Sequence, residues 1–99
     1  MRIENRKLLD SYHNTACVAC GETQGTLAHH VKTKGAGGDD VPSNLIALCF
    51  FHHRMIHDKG TAFMAEKFFS VFHWLTNNGW VYDKYRQKWC RSIGEQDED

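Results

Sequence analysis

The sequence predicts one small domain of the α+β class, organised around bound metal. Two short β-prone runs flank a glycine-rich loop, and later segments place apolar residues at helical spacing. Three of the four cysteines and five of the seven histidines lie between residues 17 and 57. A chain of 99 residues is at the small end of those that bury a self-sufficient core. Bound metal would supply stability that so small a core lacks.

The composition argues against a membrane or secreted protein. Hydrophobic residues make up 41% of the chain and the mean hydropathy is −0.55. No apolar run approaches the roughly 20 residues of a membrane span. The first residues, MRIENRKLLD, carry no signal-peptide core. We therefore expect a soluble, cytoplasmic protein with no membrane partner, either a monomer or a homodimer.

The formal net charge of zero conceals an uneven distribution. Four of the twelve acids lie in the last five residues, EQDED, which leaves twelve bases against eight acids, a net +4, in residues 1–94. That tail is either a solvated end or a screen over a basic surface. Lys84, Arg86 and Lys88 form a basic segment that is either a solvated face or an arm that contacts phosphate.

The elements follow from local signals. Residues 3–13 predict a short helix, and residues 26–31 and 44–49 predict two strands. The loop between the strands, KTKGAGGDDVPS, has twelve residues, a length that often accompanies function. A helix is expected after Cys49, with Gly60 as its stop.

A second part of the domain is predicted beyond Gly60. Thr61 is a candidate N-cap for one helix that runs to Asn78, because apolar residues recur at three- and four-residue spacing. Residues 80–89 then predict a hairpin that turns near Asp83 and Lys84. We divide the domain into a metal-binding core at about 14–60, a helix and hairpin at about 61–92, and an acidic tail at 93–99. We expect the aromatic residues of the second part to be core, namely Phe63, Phe68, Phe69, Phe72, Trp74, Trp80 and Trp89.

The cysteines favour zinc over disulfides. Cys17-x-x-Cys20 is a knuckle whose thiolates can share one zinc ion, and a second pair of ligands must complete four-coordination. The downstream candidates are Cys49, His52, His53 and His57. At about 100° per helical residue, Cys49 and His52 are about 60° apart and His53 and His57 about 40° apart. Two pairs on neighbouring faces result, of which one closes the zinc site and the other is left free.

The free pair offers an explanation for the adjacent histidines His29 and His30. His53 and His57 have the spacing of two imidazoles directed at one cation, and a hairpin across this helix would bring His29 or His30 against them. Neighbouring strand residues point to opposite faces. One of the two can therefore join the cation while the other faces substrate.

These residues resemble the HNH endonucleases of the ββα-metal type. The resemblance covers about Cys17 to His57, with C-x2-C, AHHV, the glycine-rich loop, NLIALC, C-x2-H and H-x3-H in order. It implies a ββα core with a structural zinc ion. The family's three letters would be His30, Asn44 and His53.

The resemblance also implies individual roles. His30 would be the general base, Asn44 would tie down the loop and keep His30 oriented, and His29 would bind the catalytic cation. His53 would be a second ligand of that cation, and His57 a third ligand or a phosphate contact. Cys17, Cys20, Cys49 and His52 would hold the structural zinc.

The implied activity is hydrolysis of phosphodiester bonds in double-stranded DNA, as a nick or a double-strand cut, with little sequence preference. The catalytic ion would be Mg²⁺, Mn²⁺, Ni²⁺ or Zn²⁺, and an imidazole is a competent base around neutral pH. The compact size suits a phage-encoded enzyme that acts in the host cytoplasm. Two alternatives are a zinc-stabilised nucleic-acid-binding module without catalysis and a nuclease for RNA or branched DNA. The candidate nucleic-acid-binding residues are Lys32, Lys34, Arg54, Lys84, Arg86 and Lys88.

Overall fold

The computed structural model describes residues 2–91, and this part of the chain is an α+β fold with two two-stranded antiparallel sheets. The predicted acidic tail lies outside the described residues. No helix between residues 2 and 91 is long and apolar enough to cross a membrane. The helices and strands are α1 Arg6–Asp10, β1 Leu27–His30, β2 Leu45–Leu48, α2 Phe50–Lys59, α3 Thr61–Lys67, α4 Phe69–Asn77, β3 Trp80–Asp83 and β4 Lys88–Arg91.

The first sheet is the hairpin of β1 and β2, in which Leu27 pairs with Leu48 and His30 with Leu45. All four residues of β2 are buried. On β1, His29 is buried and His30 is half-buried, because successive side chains leave opposite faces of a strand. The two adjacent histidines are thereby directed to different sides of the hairpin.

The core lies between β2 and the helices that follow it. Leu48, Met64 and Leu75 are completely buried there, and Ile46 and Ile56 nearly so. Helix α2 begins directly after β2, with Cys49 as its N-cap, and ends at Gly60, whose φ of 93° favours glycine. This short connection holds α2 beside the hairpin.

The prediction of one helix from Thr61 to Asn78 is wrong. Phe68 has φ −121° and ψ 111°, an extended conformation that separates α3 from α4. Phe, Ser and Val are weak helix formers, so the local sequence KFFSVF offers little resistance to a break. The break is accompanied by packing of the Phe68 ring on His52, at 4.9 Å between centroids. The N-cap of α3 is Gly60 and not Thr61, which is its first residue.

The expected aromatic core is only partly correct. Trp80 is buried and its indole N–H donates to the carbonyl of Ser43 at 2.7 Å. Phe63, Phe69 and Phe72 are exposed, because they lie away from the buried stripe of Met64, Val71 and Leu75. The second sheet is a hairpin of β3 and β4, as predicted, with Asp83 paired to Lys88 across the turn.

Candidate metal centres

Four predicted zinc ligands converge on one point. Cys17 and Cys20 come from the knuckle, Cys49 caps α2 and His52 lies in its first turn. The Cys49 sulfur is 3.3 Å and the Cys17 sulfur 3.8 Å from His52 Nδ1, and the sulfurs of Cys20 and Cys49 are 3.9 Å apart. Tetrahedral zinc, with bonds of about 2.3 Å to sulfur and 2.0–2.1 Å to nitrogen, sets its sulfurs about 3.8 Å apart and a sulfur about 3.6 Å from a nitrogen. The four side chains therefore fit a structural zinc ion.

Backbone hydrogen-bond donors favour the thiolate form of Cys17 in this cluster. Burial opposes ionisation of Cys17, but backbone N–H groups of Cys49, Cys20 and Ala19 that point at its sulfur outweigh that effect and lower its pKa. Burial lowers the pKa of His52, which keeps the imidazole neutral. A thiolate and a neutral imidazole are the forms that bind metal.

A second cluster contains only imidazoles. His29 of β1 meets His53 and His57 of α2, and one ring nitrogen of each lies within 4.8 Å of the others. The ring centroids are 4.9–5.4 Å apart and the rings meet edge to face. His29 is buried, His53 half-buried and His57 exposed, so the cluster is accessible from solvent on the His57 side. These three donors can hold one divalent ion, and three protein ligands leave a position for water or substrate.

Burial and neighbouring charges keep His29 and His53 in the neutral form that binds metal. Burial, followed by the charges that His53, His57 and His30 would carry, lowers the pKa of His29 to about 3. Burial and then the charge of His57 lower the pKa of His53. Protons therefore compete weakly for these two nitrogens near neutral pH.

His30 lies outside the three-histidine cluster and has a different partner. Its Nε2 is 2.7 Å from Asp40 Oδ1. The hydrogen bond with His30, followed by that from the Asn5 N–H, lowers the pKa of Asp40. Since the ionised carboxylate can only accept, Nε2 carries the hydrogen and Nδ1 of a neutral His30 ring keeps its lone pair. His30 thus presents a basic nitrogen that is oriented by a buried carboxylate.

The N-terminal segment fixes Asp40 in place. Arg2 Nη2 donates to Asp40 Oδ1 at 2.9 Å, and the Asn5 N–H donates to Asp40 Oδ2 at 2.8 Å. Arg2 Nε also donates to the carbonyl of Gly38 at 2.6 Å. Asp40 is only 4% exposed, so its carboxylate is compensated by a buried network of donors and not by water.

Asn44 closes the base of the loop between the two strands. Its Oδ1 accepts from the Lys32 N–H at 2.7 Å, and its Nδ2 donates to the carbonyls of Lys32 and Asp39 at 3.1 and 2.9 Å. It is 5% exposed. These bonds join the start of the loop, near His30, to its second half, near Asp40.

The close approach of the loop backbone at residue 38 to the Lys32 carbonyl requires a glycine at that position. A Cβ on Gly38 would lie 1.7 Å from the carbonyl oxygen of Lys32 and 2.9 Å from Asn44 Nδ2. Gly35, in the same loop, has no atom within 4 Å of such a Cβ. The loop therefore depends on one glycine for packing.

The basic residues predicted to bind nucleic acid do not form one group. Lys32, Arg86 and Lys88 line a common cleft, whereas Lys34 lines shallow cavities beside α1. Arg54 is exposed on α2 and Lys84 is exposed in the turn of the second hairpin. Cys90 lies in β4, outside the cysteine cluster.

Sequence reasoning missed Asp40, Arg2 and Asn5. Asp40 is ten residues from His30, and Arg2 is 38 residues from Asp40, so no local periodicity connects them. The only signal was an acidic pair, Asp39 and Asp40, in the loop that follows a candidate base.

Compared with protein-family models, with curated proteins and with solved structures, the chain matches none of them. The assignment of a function accordingly depends on the geometry of the site and on the resemblance of its motifs.

Proposed function

We propose that this protein is a metal-dependent endonuclease of the HNH type that hydrolyses phosphodiester bonds of DNA. The observation that supports it is a second donor cluster, His29, His53 and His57, beside a complete Cys3His set. A structural zinc site explains the cysteines but gives no reason for three further imidazoles that converge near solvent. An incomplete cluster of neutral donors suits a cation that must also bind substrate.

His30 is the general base in this proposal. Its Nδ1 accepts a proton from a water molecule while Nε2 donates to Asp40. The water oxygen forms a bond to phosphorus, and the bond from phosphorus to the 3′ oxygen breaks. The leaving oxygen takes a proton from solvent, which gives 5′-phosphate and 3′-hydroxyl ends.

The other residues bind and orient. His29, His53 and His57 would hold the divalent cation, which supplies charge stabilisation for the phosphorane and the leaving oxygen when bound. Asp40 fixes the tautomer and the orientation of His30 by accepting a hydrogen bond from its Nε2–H. Asn44 sets the position of the loop that carries Asp40. Cys17, Cys20, Cys49 and His52 would hold zinc as part of the fold.

Supercoiled plasmid incubated with zinc-loaded protein tests the proposal. Separate reactions contain no added cation, Mg²⁺, Mn²⁺, Ni²⁺ or further Zn²⁺. We expect nicked or linear product with at least one of the added ions. A His30→Ala protein that retains its zinc and its circular dichroism spectrum should form that product at least about 100-fold more slowly. Untouched plasmid in every reaction with the unaltered protein would contradict the proposal.

The same experiment separates an enzyme from a binding module. A non-catalytic module retards the plasmid on a gel without any change in its topology, for both the unaltered protein and His30→Ala. The His30→Ala control therefore matters as much as the metal series.

A further inference from the structure

A cleft of about 550 Å³ lies beside the second hairpin. Its walls come from the segment after β1, the junction of α2 and α3, and the strand β4. Val31 and Lys32, which line it, directly follow His30, and Lys59 is two residues beyond His57. Residues that line the cleft therefore follow, in sequence, the ends of the strand and the helix that carry the candidate catalytic histidines.

The charge of this cleft has one sign. None of the described residues that line it is acidic, whereas five are basic: Lys32, Lys59, Arg86, Lys88 and Arg91. Such a surface attracts polyanions.

The three lysines have no carboxylate partner within residues 2–91, and the Lys59 ammonium lies over the Phe63 ring at 5.8 Å from its centroid. Arg86 is 3.4 Å from Asp83, and Arg91 donates to the carbonyl of Asn78 at 2.7 Å. Binding of a phosphate to the lysines would therefore break no ion pair among the described residues.

The rest of the lining is largely apolar. Val31, Ala36, Ala62 and Trp89 contribute to it, and Trp89 is half-buried with its ring against Phe72 and Tyr82. A duplex presents its phosphates but hides the faces of its bases, whereas an unpaired strand presents both. The volume is that of a pocket for a small ligand, about 300–1,000 Å³, which suits a nucleotide or two and not a duplex.

We propose that this cleft binds an unpaired nucleic-acid strand next to the point of cleavage. The lysines contact successive phosphates, and the apolar wall with Trp89 receives base faces. The position of the strand next to a cleaved bond rests on the proposed function. The binding of the strand in the cleft does not depend on it. It makes DNA with a single-stranded segment, such as a forked duplex, the preferred substrate.

Fluorescence anisotropy with labelled oligonucleotides tests the binding. The zinc-loaded His30→Ala protein is titrated, with no added divalent cation, into a single strand, a blunt duplex and a forked duplex of equal length. Lys59→Gln and Lys88→Gln are made in this background because both side chains are exposed. Lys67→Gln is the matched control, since Lys67 is an exposed lysine of α3 that does not line the cleft.

We expect the single strand and the fork to bind more tightly than the blunt duplex. Each cleft substitution should remove one phosphate contact. For single strands each contact contributes about −0.7 to the slope of log K against log salt concentration, so binding should weaken about fivefold at about 0.1 M salt. Lys67→Gln should bind like its parent. Equal affinities for all three DNAs, or cleft variants that bind the single strand like Lys67→Gln, would overturn the inference.

Cleavage of the plasmid, the single strand and the forked duplex by the unaltered protein, with each divalent cation added, is recorded in parallel. Failure of cleavage with intact strand binding rejects the proposed nuclease but leaves the cleft as a binding site. Cleavage without any effect of the lysines on strand binding rejects the cleft and leaves the nuclease.

Discussion

At the scale of single residues, the proposed chemistry depends on the adjacent histidines His29 and His30, which have different partners. His29 faces α2 and meets two other imidazoles, whereas His30 faces the loop and is held by Asp40. Alternation along a strand produces this separation without any further structure. One position therefore faces the imidazoles of α2, and the next faces a buried carboxylate.

Replacement of Asp40 tests whether that carboxylate acts through His30. A positioned general base contributes about 10²–10⁴-fold, so we expect Asp40→Asn to lower kcat for plasmid cleavage by about 10- to 100-fold. In a His30→Ala background the same change should have no further effect, because the group on which it acts is gone. Rates are compared at a temperature where circular dichroism shows each variant folded. Equal losses in both backgrounds would assign Asp40 to folding alone.

His53→Ala tests the second cluster. It removes one of three candidate ligands but leaves the Cys3His set complete. We expect cleavage to be lost while one zinc ion per chain remains by elemental analysis. Retained cleavage would refute the assignment of His53 to a catalytic cation.

At the scale of elements, the loop between β1 and β2 connects the two parts of the candidate site. Asn44 binds Lys32 at the start of the loop and Asp39 in its second half, and Gly38 allows these two backbone segments to approach each other. Arg2 and Asn5 cover it from the N-terminal side. This loop has no regular sheet or long helix, so its shape depends on those contacts.

Gly38→Ala should disturb this loop. The added Cβ would overlap the Lys32 carbonyl, and overpacking typically costs about 1–3 kcal/mol. We expect a lower midpoint of urea denaturation and weaker cleavage. Gly35→Ala, where a Cβ meets nothing, should leave both unchanged. Identical midpoints for the two variants would show that the approach is not required.

The elements that could be predicted are those fixed by local spacing. The positions of Cys49, His52, His53 and His57 divide into two clusters because they lie on or beside one helix. The break at Phe68 could not be predicted, since it is associated with packing on His52 from another helix. The partners of Asp40 were missed for the same reason, because they are distant in sequence.

At the scale of the whole molecule, the cysteine cluster takes its ligands from both sides of the first hairpin. The knuckle precedes the first hairpin, and Cys49 and His52 follow it. Phe68 packs on His52 and connects this cluster to α3 and α4. A zinc ion at this point would hold the knuckle, the hairpin and the helices in one arrangement.

Loss of that zinc should unfold the protein. Apparent binding free energies of structural zinc are about 10–16 kcal/mol, as large as the 5–15 kcal/mol of total stability of a typical domain. We expect Cys20→Ser to purify without zinc and to lack native circular dichroism. Cys90→Ser, in β4, should keep its zinc and its native circular dichroism spectrum. A zinc-free Cys20→Ser protein with an unchanged spectrum would remove the structural role of the cluster.

Helix α2 and its N-cap contribute ligand atoms to both donor clusters, and we expect each cluster to bind its own metal ion. Titration of the metal-free protein with Co²⁺, followed by absorption spectroscopy, tests it most directly. We expect two ions per chain, one with strong thiolate-to-cobalt charge-transfer absorption and one without it. His53→Ala should lose only the second. Saturation of the unaltered protein at one ion per chain would contradict the claim.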